Sequence, residues 1–204
     1  MPADKPAINL QHFNRERSLP YNLRIEDYSI AMQDVYDFFY DVNERLQNRG
    51  LKRLDDMLRP AAMSGLISDM LTASLAQHAR SLTDNQYHNG HPDLIEAGRY
   101  PNDSVASGTM GVEIKTTRNS RASVDMHGAR DQWLCVFVYE VDNETEPAVD
   151  RRPMRFTQVY LQEVKINDFR RNERGELGTR TASLDREGIT KLRKGWVYLV
   201  PSAR

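Results

Sequence analysis

A single cysteine, Cys135, in 204 residues rules out an internal disulfide framework. Its place inside the apolar run 134–139 marks it as a buried, inert thiol. That run is far too short to cross a bilayer. The opening MPADKPAINL lacks the basic-then-apolar order of a secretory signal, so a cytoplasmic location is expected. No GxxxxGK[ST] loop or GxGxxG turn occurs, which leaves nucleotide-cofactor binding of those kinds without support. No GxSxG elbow presents a nucleophilic serine. A charge excess of one sign is missing as well. The 28 Lys and Arg stand against 29 Asp and Glu, so the whole-molecule field does not gather polyanions. Repeats, low-complexity tracts and long linkers are absent.

What is present fits one domain with its own core. The charge is unevenly placed: across residues 165–194 nine Lys or Arg meet five Asp or Glu, an excess of four that can border a phosphate backbone or simply form a solvated basic face. Residues 1–24 are polar and broken by Pro2, Pro6 and Pro20, and read as an arm that is ordered only if something holds it. From Glu26 the pattern turns helical, with Tyr28, Met32, Val35, Phe39, Val42 and Leu46 recurring every three or four residues and Gly50 as a stop. Tyr36, Phe38 and Tyr40 fall partly off that stripe, which suggests packing on both sides or a dimer interface. A second helix is expected over 61–80, after Pro60.

Beyond Ser81 the texture becomes β-like. Strands are expected at 94–95, 110–117, 133–141, 156–164 and 196–200, the third apolar on both faces. Helices followed by a strand-rich remainder predict an α+β sandwich. Residues 25–204 would form one domain, with a central mixed sheet flanked by helices.

In the strand 110–117 a period of two puts Glu113 and Lys115 on one face, about 6.6 Å apart along the chain. Asp93 lies twenty residues before Glu113, a separation that lets two strands pair antiparallel and bring the carboxylates together. Adjacent carboxylates repel unless a cation lies between them. Mg²⁺ takes one or two carboxylates plus waters and substrate phosphate. A neighbouring lysine is a compact charge suited to holding an attacking water and offsetting phosphorane charge. Asp93, Glu113 and Lys115 supply that set. The plain alternative is a solvent-facing Glu–Lys pair with Asp93 as a turn residue after Pro92.

Pro92-Asp93 followed by Glu113-Ile114-Lys115, within "HPDLI" and "GVEIKTT", resembles the PD-(D/E)XK nuclease motif, and type II restriction endonucleases in particular. The resemblance covers roughly residues 61–141. It implies that Asp93, Glu113 and the Ile114 carbonyl hold Mg²⁺ (or Mn²⁺ in its place) while Lys115 positions water. It also implies an acidic residue from the preceding helix, for which Asp69 and Glu44 are the candidates. The family core further implies a strand before the Asp-bearing one and a helix after the Glu-Xaa-Lys strand. "TDNQYHNG" makes a poor strand and "NSRASVDMHGARDQ" a poor helix.

Around this set, Thr116 and Thr117 can donate to a phosphate. Asp125, His127, Arg130 and Gln132 can reach bases or phosphates if their loop borders the cleft. Arg180, Thr181 and Ser183 sit in an Arg-rich, glycine-punctuated segment with side chains able to grip DNA. Each of these also has a purely structural reading, as a strand former or a surface loop. His88 and His91, three apart, lack the companions of a zinc site. The expected function is a Mg²⁺-dependent, sequence-specific endonuclease of double-stranded DNA, working as a homodimer with no nucleotide cofactor and no membrane. A repair, recombination or transposition nuclease is the alternative within the class. A non-catalytic DNA-binding or interaction module is the alternative outside it.

Overall fold

The computed structural model describes residues 5–171 and 181–201. Two long helices come first. In α1 (Ile25–Gln47) the Asp27 carboxylate accepts the Arg24 backbone N–H at 2.8 Å and pairs with the Arg24 guanidinium, closing the first turn. Its apolar stripe buries Tyr28, Met32, Val35 and Phe39. Tyr36 is core too, stacking on Phe156, whose N–H donates to the Tyr36 hydroxyl at 2.8 Å. A single turn, α2 (Leu54–Met57), precedes α3 (Pro60–His78), where Pro60 suits the first turn and Met63, Ile67, Leu71 and Leu75 face inward at intervals of four.

The strands are β1 (Leu82–Asp84), β2 (Leu94–Glu96), β3 (Gly111–Thr117), β4 (Asp125–Met126), β5 (Gln132–Glu140), β6 (Arg155–Val164), β7 (Phe169–Arg171), β8 (Ala182–Leu184) and β9 (Trp196–Leu199). Between β8 and β9 lies α4 (Arg186–Lys194), whose N-terminus is capped by the Asp185 carboxylate on the Gly188 N–H at 2.8 Å. Six strands form a mixed central sheet in the order β1-β2-β3-β5-β6-β9, and only β3 and β5 run parallel. β4, β8 and β7 form a small second sheet.

Strand alternation splits the core in two. Val112 and Ile114 of β3, with Cys135, Phe137 and Tyr139 of β5, pack against α1 and α3. Leu134, Val136 and Val138 turn the other way, joining Val124, Met126, Leu184 and Leu192 under the small sheet and α4. The helix looked for after the Glu-Xaa-Lys strand does not form. Residues 118–131 instead carry β4 and contribute Ala122, Val124 and Met126 to the second core. The strand looked for before the Asp-bearing one is present as the three-residue β1.

The N-terminal segment is held in place. Phe13 is buried and bridges Tyr198, the Asn14 N–H donates to the Val197 carbonyl at 2.9 Å, and the Arg17 guanidinium reaches the Leu161 carbonyl. No described helix is long and apolar enough to cross a membrane.

Candidate active site

β2 and β3 pair through Leu94↔Val112 and Ile95↔Gly111. One further step along that register sets Asp93 opposite Glu113. The ladder stops there, and the Asp93 carboxylate substitutes for the missing strand partner by accepting the Ile114 N–H at 2.7 Å. Gly111 makes the close approach possible. Its φ is +150°, and a Cβ there would stand 2.0 Å from the Leu94 carbonyl oxygen.

On the face of β3 turned away from α3, Lys115 Nζ lies 2.6 Å from Glu113 Oε1 and 3.5 Å from Asp93 Oδ2, and donates to the Ile114 carbonyl at 3.1 Å. The Glu113 side chain is only 1 % exposed, whereas Asp93 and Lys115 are 28 % and 23 % exposed, so the set opens to solvent on one side. A fourth group joins it: His91 Nδ1 lies 3.2 Å from Glu113 Oε2. The sequence offered His91 only as a histidine without the companions of a zinc site, close to Asp93 in the chain. The path of the loop through Pro92, which the sequence pattern does not reveal, brings His91 onto Glu113.

The charges follow from this geometry. Burial, together with the nearby Glu113 carboxylate, pushes the Asp93 carboxyl up to about 6. Burial also acts against ionised Glu113, but the His91 hydrogen bond and the Lys115 ammonium outweigh it and hold the carboxyl below its usual range. For Lys115 burial disfavours the ammonium, and Glu113 and Asp93 more than offset that, raising its pKa. Glu113 Oε1 is buried, with the Lys115 ammonium 2.6 Å away as its partner.

The donor set therefore fits a hard divalent ion. Two carboxylates of like charge share one site, a buried oxygen of one of them is turned into the cluster beside the Lys115 ammonium, and a backbone carbonyl adjoins them. Among the described residues no three His, Cys, Asp or Glu side chains form a ready-made cage. Two carboxylates plus a carbonyl suit an ion that keeps most of its waters, as Mg²⁺ does.

Several expected residues stand elsewhere. Asp69 is exposed on α3. Its neighbour Ser68 meets the site instead, donating to the Ile114 carbonyl at 3.1 Å, since one residue is about 100° of helix rotation. Glu44 lines a separate cleft with Tyr36, Arg53 and Met154. Thr116 points to the opposite face and donates to the Ser64 carbonyl at 2.7 Å, so strand alternation removes it from the site. Thr117 shares the Lys115 face but closes a turn, donating to the Ser123 carbonyl and accepting the Asn119 N–H. His88 and His127 are exposed, as is Asp125 at the start of β4.

Gln132 shares the Glu113 face at the start of β5. It is buried, and both its carboxamide atoms lack partners, as does the buried Nη1 of Arg130. Ser183 is buried within β8 between Asp125 and Arg170, and Thr181 is half-buried just before it. Arg180 lies outside the described residues.

The loop carrying His91 is knitted by Asn85, a residue the sequence did not single out. Its amide donates to the Pro92 and Val105 carbonyls at 3.0 and 2.8 Å, and its oxygen accepts the Tyr87 and Val105 N–H groups. No protein-family model, curated protein or solved structure matches the chain.

Proposed function

We propose that the chain is a Mg²⁺-dependent endonuclease of double-stranded DNA. It would use a PD-(D/E)XK-type site on a restriction-endonuclease-like core and act as a homodimer so that each site cuts one strand. The observation that carries this reading is the convergence of Asp93, Glu113 and Lys115 from two paired strands onto one partly open face. Scattered surface charges would have no reason to share a cluster in which one carboxylate is almost wholly buried. The basic segment 165–194 supports it further: β6 ends at Val164 opposite Gln132, so the segment leaves the sheet at the end where β3 and β5 begin.

In this reading Asp93, Glu113 and the Ile114 carbonyl hold the ion. When bound, it supplies positive charge against the phosphoryl oxygens and lowers the pKa of a coordinated water. Lys115, kept charged by its two carboxylates, orients the attacking water and offsets charge developing on the phosphorane. Ser68 fixes the Ile114 carbonyl from behind. Glu113, ionised and buried, is set before substrate arrives, so no reorganisation is needed at the moment of reaction.

The test is digestion of phage-length duplex DNA, modified and unmodified, with Mg²⁺ or EDTA, beside Glu113→Ala and Lys115→Ala. Discrete fragments from wild type with Mg²⁺ alone, and a loss of at least about a hundredfold in either variant, are expected. Cutting confined to mismatches, ends or junctions would reassign the substrate to repair intermediates. Intact DNA under every condition would overturn the nuclease reading.

A further inference from the structure

The motif residues leave one contact of the cluster unused: His91 Nδ1 on Glu113 Oε2 at 3.2 Å. A carboxylate only accepts, so the hydrogen of this 3.2 Å contact is donated by His91 Nδ1. This places a hydrogen on Nδ1 and ties down one of the two Glu113 oxygens. The other oxygen, Oε1, is buried and turned toward the Lys115 ammonium, 2.6 Å away. His91 is itself fixed. Its backbone bridges Ser107, its N–H donates to the Ala106 carbonyl at 3.2 Å and its carbonyl accepts the Gly108 N–H at 2.7 Å. A glutamate χ3 torsion is broad and would otherwise let the two oxygens exchange.

We propose that His91 is a positioning residue for divalent-ion binding: through its Nδ1–H it locks the Glu113 carboxylate so that Oε1 is presented to an ion shared with Asp93. The inference rests on the metal reading of the site given above and assigns no proton transfer to the imidazole. A ligating carboxylate that is itself hydrogen-bonded from a second residue binds its ion more tightly, because the ligand is oriented beforehand.

The experiment is a calorimetric titration of Mn²⁺ alone, without DNA, into wild type, His91→Ala, His91→Asn and His91→Gln, with thermal unfolding of each. An asparagine amide falls near the place of Nδ1, while the longer glutamine amide falls near Nε2. Alanine and glutamine are expected to weaken Mn²⁺ binding about tenfold or more, with asparagine staying within about threefold of wild type. Equal affinity in all four proteins would overturn the role of His91 and leave the nuclease reading standing. Equal loss in all three variants would also overturn it, because a merely structural His91 would not be rescued by asparagine. Should alanine fail to fold, the contrast of asparagine with glutamine decides the matter. Wild type that binds no Mn²⁺ would overturn the metal reading itself, and DNA digestion would fail with it.

Discussion

At the scale of single residues, the site is a problem of unequal carboxylates. Asp93 and Glu113 face one another across two strands, yet their environments drive them apart: the more buried of the two stays ionised because it has both His91 and Lys115, and the more open one holds its proton up to about pH 6. The sign of the consequence for stability is definite. A carboxyl whose pKa is raised by folding binds its proton more tightly in the native state. Its contribution is therefore complete below the ordinary aspartate value near about 4 and is lost as pH rises through the folded value. In chelator, the unfolding free energy of wild type should fall by about 2 kcal/mol relative to Asp93→Asn between pH 4 and 7, as read from urea denaturation of both proteins. Parallel curves would mean that the Asp93 carboxyl is not raised. Bound Mg²⁺ should abolish the decline, since it favours the ionised form.

Secondary-structure elements explain why some of this was legible in the sequence and some was not. Glu113 and Lys115 could be assigned to one face because β3 is long enough for its alternation to register, with Val112 and Ile114 marking the opposite side. The apolar stripes of α1 and α3 and the doubly apolar β5 were legible for the same reason. β1, β4, β7 and β8 have two or three residues each, too few for a period to appear. α4 was hidden because its nine residues are dominated by charge and only Gly188 and Leu192 are buried. That Ser68 and not the expected Asp69 meets the site depends on the rotation of α3 about its axis, which tertiary packing sets. Asn85 and His91 needed the path of a loop.

The junction of β2 with β3 is the element on which the site depends most, and Gly111 permits it. Gly111→Ala adds a methyl group at positive φ against the Leu94 carbonyl. A cost of about 2 kcal/mol or more is expected, together with a weaker Mn²⁺ site as Asp93 is moved off Glu113. Urea denaturation and calorimetry report the two effects separately, and an unchanged Mn²⁺ affinity would detach Asp93 from the site.

On the scale of the whole molecule, near-zero net charge conceals a basic rim. Arg186 and Lys194 are exposed on α4, within the segment that leaves β6 at the site's end of the sheet. If that rim follows the phosphate backbone, the double replacement by alanine should weaken binding of any duplex sequence alike. It should also lower the slope of log affinity against log salt by about 1 for each phosphate contact removed. Fluorescence anisotropy in Ca²⁺, which suits binding without turnover, measures both. An unchanged slope would move the DNA path away from α4.

The N-terminal segment along β9 has a consequence for how copies of the chain can meet. A six-stranded sheet has two rims where backbone groups await a partner, and strand addition there is the cheapest way to join two β proteins. Here one rim is strapped by Phe13 and Asn14, and the other is β1, three residues long and ending at Asp84, whose buried carboxylate oxygen has no partner. Neither offers a length of free strand. Among the described residues, then, the central sheet gives two copies little strand to share, and helices, loops and the small β4-β8-β7 sheet are the surfaces left for pairing.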